Sequence, residues 1–456
     1  MSQHPSDLVD QDPKVATAMS GAFDNIHPGL TQPEAIRLLL TPIDQLESQS
    51  DPYMAAAHLL NFPGPSTEEA LLALVDDQDQ SQPRRLARRK AVEVLGRLHC
   101  QDAIPAIGRC LTSDDPYLVE SSAWALAELD CQVDDLHEIM ISLLSRCDQN
   151  QRILIQSLAG LHVTSALKVI EPLQDSESPG VRGAAISASI KLGASCDRLD
   201  VLKQHFFLPN QMDRQSGIQD AMDCGAKELL PSILQAPVSP VFRMRALRAL
   251  WPEGDLALGQ LSLLSVLDSL LNDFPGDLEL VHQYDQPPTN EFLIQEFFGT
   301  DFSRCYLALK TLGDRSAVEI WPLLYQRWIE EAHNDYGAHY FFVRLFGSRY
   351  DWPKDALPVI EQILDEAIAS QRPQFMKSKS AAVLSLYRLG IVFDQCRLAE
   401  LLSSSSMPFW ESRYAALMVL SDSMFDSDRG AFLESSGLDP NPFVAARAQA
   451  MMRDVI

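Results

Sequence analysis

An all-α fold, an α-solenoid of HEAT-like helical repeats with a concave ligand groove, is what this sequence predicts, and three observations predict it. Apolar helical faces return with a period near thirty-one residues. Several periods open on a helix-start signal in which Asp, Ser or Asn precedes Pro. Alternating β-branched runs joined by Asn-Gly, the usual mark of hairpins, are scarce.

The period is read from helix ends. VEVLGRLH, ALAELD, SLAGLH and SIKLG finish their apolar faces at Leu98, Leu129, Leu161 and Leu192, in steps of 31, 32 and 31. ALRALW and LKTLGD place Leu250 and Leu312 two periods apart, and Leu389, Leu420 and Met451 follow at steps of 31. One unit, between 312 and 389, is longer. Within a unit the pattern is two helices. In DDPYLVESSAWALAELD, Asp114 or Asp115 caps the helix and Pro116 suits its first turn, while Leu118, Val119, Ala123, Leu126 and Leu129 recur every three or four residues. Ser178-Pro179, Ser239-Pro240 and Asn441-Pro442 repeat the start. One such pair cannot bury its own apolar face, so stacking must supply the core and leave an inner groove lined by the second helix of each unit. Residues 1–30, poor in apolar groups, are expected to be a disordered extension. Residues 31–456 are expected to form a single solenoid beginning at TQPEAIRLLL.

Composition narrows the function. With 37 basic and 62 acidic residues the formal charge is −25, which repels phosphate backbones and anionic lipid at long range; neither nucleic acid nor membrane is expected as a partner. The opening MSQHPSDLVDQDPK lacks a basic segment followed by an apolar run, and no stretch has eighteen uninterrupted apolar residues, so a soluble, cytoplasmic protein is expected. The eight cysteines form no C-x-x-C pair and fall mostly among Leu and Ala, the pattern of free thiols rather than of a disulfide frame or a metal site. Nucleotide-binding, zinc-protease and serine-hydrolase motifs are missing.

Four clusters depart from the small-inside, charged-outside rule of a plain scaffold. PVFRMRALRALW (240–251) brings Arg243, Arg245 and Arg248 close together; the last two, three apart, can hold a carboxylate, or the group can be a solvated face or an inter-repeat ion pair. ELVHQYDQPP gathers His282, Tyr284 and Asp285 at an expected helix end. GTDFSRCYLALKTLGD starts a helix at Asp301, an N-cap by default, and adds Arg304 and Tyr306; its Cys305 reads as packing. EEAHNDYGAHYFFVRLFG (330–347) reads as one helix on which Asp335 and His339, four apart, form an acid–base pair beside His333, Tyr336 and Tyr340, with Arg344 one turn on. Gly337 inside that helix suggests close approach of something to the backbone. Two basic groups, PRRLARRK (83–90) and Lys377 with Lys379 (in PQFMKSKS), read as solvated surface.

These clusters resemble a known family. HLLNFPGPST (58–67), RRKAVEVLGRL (88–98), SPVFRMRALRAL (239–250), ELVHQYD (279–285), TDFSRCYLALKTL (300–312), the 330–347 stretch and QRPQFMKSKSAAVLSL (371–386) are similar to segments of the E/F-type bilin lyases of cyanobacterial phycobiliproteins, and within them to the phycoerythrobilin lyases and lyase-isomerases serving phycoerythrin (CpeY/MpeZ-type). The similarity covers most of the chain after residue 50. It implies no cofactor, a linear tetrapyrrole (phycoerythrobilin) as substrate, and the apo-phycoerythrin α subunit as partner; in some members a double-bond shift gives phycourobilin. The residues suit such a ligand independently: Tyr284, Tyr306, Tyr336 and Tyr340 can flank flat rings, Arg243, Arg245, Arg304 and Arg344 can hold propionates, and Asp301, Asp335 or Asp285 can accept pyrrole N–H bonds. Asp335 or His339 is expected to deliver a proton while the partner's cysteine attacks, with His333 available for an isomerising step. A non-enzymatic HEAT-repeat adaptor and a bilin carrier are the competing readings, and the residues leave the oligomeric state open.

Overall fold

The computed structural model describes residues 29–195, 197–391, 393–420 and 426–453. Nearly all of the extension expected over 1–30 lies outside them. The described chain is helical except for irregular connections and one short antiparallel hairpin, Ala257 opposite Ser262 and Leu258 opposite Leu261, turned through Gly259 at φ +59°. It forms two compact units, one within Thr17–Leu202 and the other within Lys203–Ile456.

In the first unit the helices Asp51–His58, Gln82–Arg97, Pro116–Glu128, Gln151–Gly160 and Pro179–Lys191 pack each on the next. The thirty-one-residue step has a local cause. The helices ending near 98, 129, 161 and 192 close with the same Schellman geometry, in which the N–H groups of Cys100, Cys131, Val163 and Ala194 donate to the carbonyls of Leu95, Leu126, Leu158 and Ser189. The residue between is left-handed in every case: His99, Asp130 and His162 at φ 52°, 47° and 55°, and Gly193 at φ 97°. Leu95, Leu126 and Leu158, just ahead of these caps, are fully buried. The proline starts hold as well. Asp115 accepts from the Tyr117 N–H at 3.1 Å, and helices begin at Pro116, Pro179, Pro240 and Pro442.

The basic run 83–90 is not the solvated face expected. Arg84 and Arg88 are buried and donate to carbonyls, Arg84 to Leu39 and Thr41 and Arg88 to Asp77 and Asp79. Arg89 holds Asp115 of the following helix in a bidentate pair at 2.8 and 2.7 Å. Guanidinium groups here close helix ends and tie repeats, because their five donors can satisfy several carbonyls at once.

The second unit repeats the plan. Gln211–Asp223 packs on Pro240–Leu250, which packs on Leu263–Asn272; Phe302–Gly313, Ala338–Phe346, Met376–Arg388, Trp410–Leu420 and Pro442–Arg453 follow in sequence. Arg214 and Arg413 serve identical posts. Each donates to the two carbonyls ahead of its helix, those of Leu208 and Pro209 and those of Met407 and Pro408. Each then pairs with an aspartate farther along, Arg214 with Asp301 and Arg413 with Asp439. Among the glycines of the described residues the tightest approach is at Gly347, where an added Cβ would lie 2.5 Å from the Cα of Ser385.

Two elements differ from expectation. Residues 330–347 are not one helix: Ala317–Glu330 ends, Ala332–Asn334 forms a 3₁₀ turn, and a new helix runs Ala338–Phe346. The break is chemical, since Asp335, in extended conformation (φ −83°, ψ 134°), accepts the N–H groups of Gly337 and Ala338 at 2.8 and 2.7 Å, capping the second helix. Gly337 therefore lies outside the helix, and a Cβ there would meet nothing nearer than 3.6 Å; the close approach expected at Gly337 is found at Gly347 instead. The stretch 278–288 contains no helix end but an irregular connection, held by Glu279 N–H to the Gln235 carbonyl at 2.9 Å and Val281 N–H to Ser303 Oγ at 3.1 Å.

Candidate functional site

At the end of the Leu263–Asn272 helix the chain turns through Asp273 at φ 45°, ψ 50°, a left-handed conformation that an L-residue adopts at some cost. Its carboxylate is sealed in the second unit, 0% exposed. Three side chains from three other elements donate to it: Arg243, Tyr306 (2.9 and 2.7 Å) and Tyr340. Burial first, and then the Asp273 charge, push both phenols well above their ordinary range, so Tyr306 and Tyr340 remain neutral donors. Arg243 also reaches Tyr306 Oη at 3.1 Å. Arg344, 2% exposed, donates to the carbonyls of Asn272 and Asp273, and Arg388 donates to Asn272 Oδ1 at 2.5 Å. Arg243, Tyr306, Tyr340 and Arg344, all expected from sequence, are thus brought together. Their organiser Asp273, with Arg388, was not.

Beside this group stands Lys377. Its ammonium is buried with no hydrogen-bond partner among the described residues and faces three rings, those of Tyr336 (4.4 Å), Phe302 (5.1 Å) and Tyr340 (5.2 Å). Burial holds it down to about 8, a value poised for proton exchange near neutral pH. Its neighbour Lys379 is 1% exposed. The reading of both as surface lysines is therefore corrected; they sit in the first turn of a helix whose start is packed against aromatic residues.

The acid–base pair expected at 335 and 339 does not form as drawn. Asp335 commits Oδ1 to its helix cap, while His339 has its Nδ1 hydrogen-bonded to Ser378 Oγ at 2.9 Å and stacks on Phe375 at 4.2 Å. Burial, then the positive charge of Lys377, holds its imidazole down to about 4, so it is neutral at ordinary pH. His333 is exposed, its Nδ1 3.0 Å from the Trp328 carbonyl.

A second group forms around Asp301. It caps its helix through the Ser303 N–H at 2.9 Å, pairs with the fully buried Arg214, and accepts from His282 Nε2 at 3.0 Å. Tyr284 packs edge-on to Phe292 at 6.0 Å, its hydroxyl buried without a partner among the described residues and pushed up to about 12 by burial. Cys305 donates to the Glu296 carbonyl at 3.2 Å and its thiol is also pushed up to about 12, again mainly by burial. Arg245, Asp285 and Arg304 are exposed and are not gathered with the others; they occupy outward positions of their elements. Tyr336 is 59% exposed and covers Lys377 from outside.

The arrangement is a set of neutral phenols, cations and ring faces around buried carboxylates. It suits a flat, anionic ligand needing donors and a proton source, and it presents no activated serine or thiol.

No family model matches the chain. It is 45% identical over 409 residues to the bilin biosynthesis protein CpeY of Synechococcus sp. (strain WH8020), covering 88% of this chain and 97% of that protein. It is 35% identical to the uncharacterized phycocyanin operon protein Y of Pseudanabaena tenuis (strain PCC 7409), covering 86% and 91%. Among solved structures, the complex of CpcE and CpcF of phycocyanin lyase from Nostoc sp. PCC7120 aligns with a TM-score of 0.45 at 24% identity, covering 54% of this chain and 96% of that one. With the 45% identical CpeY matched along 97% of its length, the chain belongs to the E/F-type phycobilin lyase family, in its CpeY-type subgroup.

Proposed function

We propose that the protein is a phycobilin lyase that binds phycoerythrobilin and joins it to a cysteine of the phycoerythrin α subunit through a thioether. The observation that carries this reading is the convergence of Tyr306, Tyr340, Arg243 and Arg344 on Asp273, with the Lys377 ammonium lying among ring faces beside them. In a chain so similar to a bilin biosynthesis protein, that combination supports a tetrapyrrole rather than a peptide as what the site handles.

In this reading the acceptor thiolate adds to the exocyclic C=C of the pigment's terminal ring. The C–S bond forms as the C=C electron pair moves to the adjacent ring carbon, which takes up one proton. The ammonium of Lys377, the group poised near neutrality, delivers it, and the nearby Asp335 carboxylate favours the charged form of Lys377. The nucleophile comes from the partner, and the proton its thiol gives up on forming the thiolate replaces the one Lys377 transfers, so the addition is balanced without a catalytic serine or cysteine here. Holding the pigment still is the larger share of the rate.

Mixing the purified protein with phycoerythrobilin should give a coloured complex, and adding apo-phycoerythrin α subunit should give colour that survives denaturation. A complex without stable transfer would mark a carrier, and no complex would leave the adaptor reading. Blue-absorbing in place of green-absorbing product would establish isomerisation to phycourobilin. Asp335→Asn keeps an oxygen for the helix cap; it should bind pigment normally and attach it at least tenfold more slowly, and unchanged attachment would remove Asp335 from the chemistry.

A further inference from the structure

The Asp273 group leaves two positive charges without a counter-ion among the described residues. Asp273 is matched by Arg243, and its oxygens are filled by Arg243, Tyr306 and Tyr340. Arg344 and Arg388 are anchored side by side on one residue, Asn272, the first through its backbone carbonyl and the second through its side-chain oxygen. Both guanidiniums lie against the Phe274 ring, at 5.8 and 4.8 Å. Neither forms an ion pair with a described carboxylate. Nε and Nη1 of Arg344 and Nη1 of Arg388 are buried with no hydrogen-bond partner among the described residues. Burial first, and the Arg344 charge next, hold Arg388 down to about 10.

Guanidinium donors are rarely left unmade in a protein interior, and two like charges are rarely placed together there, unless an anion completes the set. The backbone around the pair reinforces the point. The left-handed Asp273 turns the helix end so that its own carbonyl and that of Asn272 accept from Nη2 of Arg344, leaving Nε and Nη1 as the donors without a partner among the described residues. The group lies near the surface: Phe274 is 44% exposed and Arg388 only partly buried.

We propose that Arg344 and Arg388 form a two-guanidinium site for a carboxylate, and that its occupant is a propionate of the tetrapyrrole; the occupant, though not the anion site itself, rests on the pigment reading above. Arg388 becomes a specificity residue in this arrangement, and Asn272 the positioning residue that spaces the two guanidiniums. With Nη2 of each arginine committed, the unpartnered Nη1 of Arg344 and of Arg388 can each donate a charge-assisted bond to the carboxylate.

The test compares phycoerythrobilin with its dimethyl ester, which keeps the ring system and removes both carboxylate charges, by absorbance titration of the wild type and of Arg388→Gln. The wild type should prefer the free acid by about tenfold or more, and Arg388→Gln should bring the two ligands to within about threefold. A wild type that binds acid and ester alike, or an Arg388→Gln variant that keeps the preference, overturns the propionate assignment while the lyase reading stands. Glutarate serves as a pigment-free probe. It should raise the wild-type melting temperature more than chloride at equal ionic strength and leave that of Arg388→Gln unmoved; an equal response in both proteins overturns the anion site. Without any anion, Arg388→Gln should melt no lower than the wild type, since it loses a like-charge neighbour. A lower melting temperature would mark Arg388 as a merely structural donor to Asn272 and also overturn the proposal.

Discussion

Asp273 shows how a single residue can be energetically central yet unremarkable in sequence. In LLNDFPGD an aspartate after a helix and before Phe-Pro reads as a stop signal, which it is; nothing local says that its carboxylate is buried or that donors 30, 33 and 67 residues away meet on it. Those partners could be singled out because Arg and Tyr are unusual on an Ala/Leu helical face. Asp273→Asn tests the carboxylate alone, since Asn tolerates the left-handed backbone nearly as well. It should cost about 3 kcal/mol in urea unfolding, because Arg243 is left as an uncompensated buried charge. His339 makes a different prediction. Its folded value of about 4 lies below the roughly 6.5 of an unfolded chain, so the unfolded state takes up the proton first. Its stabilising contribution is whole above about pH 6.5 and is lost progressively as the pH falls toward 4, a change on the order of 3 kcal/mol. His339→Gln should flatten that slope, which unfolding midpoints measured across the window would reveal.

At the scale of elements, the helix ends were legible and the interruptions were not. The recurring Leu at steps of 31 and 32 marks residues preceding left-handed caps, a position that favours glycine, yet three of the first four hold His or Asp. His162→Gly should therefore stabilise the first unit by up to about 1 kcal/mol, read as a higher melting temperature, whereas Gly193→Ala should lower it by a similar amount. The break inside 330–347 was missed because its apolar periodicity continues across Asp335, and periodicity is blind to a side chain that competes with the backbone for N–H groups. The corrected location of close helix contact gives the sharpest test. Gly347→Ala forces a methyl into Ser385, whose backbone Cα is only 2.5 Å from the new atom. It should cost at least about 2 kcal/mol, and adding Ser385→Gly should restore only part of that, since the Cα stays.

For the whole molecule, the all-helical repeat and its length followed from the period, because each repeat obeys the same local rules wherever it stands. The site did not follow so simply. Exposure separated Arg243 and Arg344, both buried, from Arg245 and Arg304, both exposed, and that sorting depends on which helical face meets a neighbouring repeat. Lys377 and Lys379 depart from expectation for the same reason: a lysine in the first turn of an amphipathic helix is usually wet, and here the rings of Phe302, Tyr336 and Tyr340 face Lys377 and that of Phe409 faces Lys379. A chain of formal charge −25 with several buried cations around Asp273 holds these positive charges in its interior, while the negative net charge repels polyanions at long range.

The state of Cys305 has a chemical consequence. An enzyme that carries an electrophilic dye toward a foreign sulfhydryl risks capturing it on its own. Cys305 lies close enough to Lys377 to feel its charge, yet burial and its bond to the Glu296 carbonyl keep it protonated far above neutral pH, where it is a poor nucleophile. In the lyase reading self-labelling at Cys305 is thereby disfavoured, and mass spectrometry of protein incubated with pigment alone should find no adduct there.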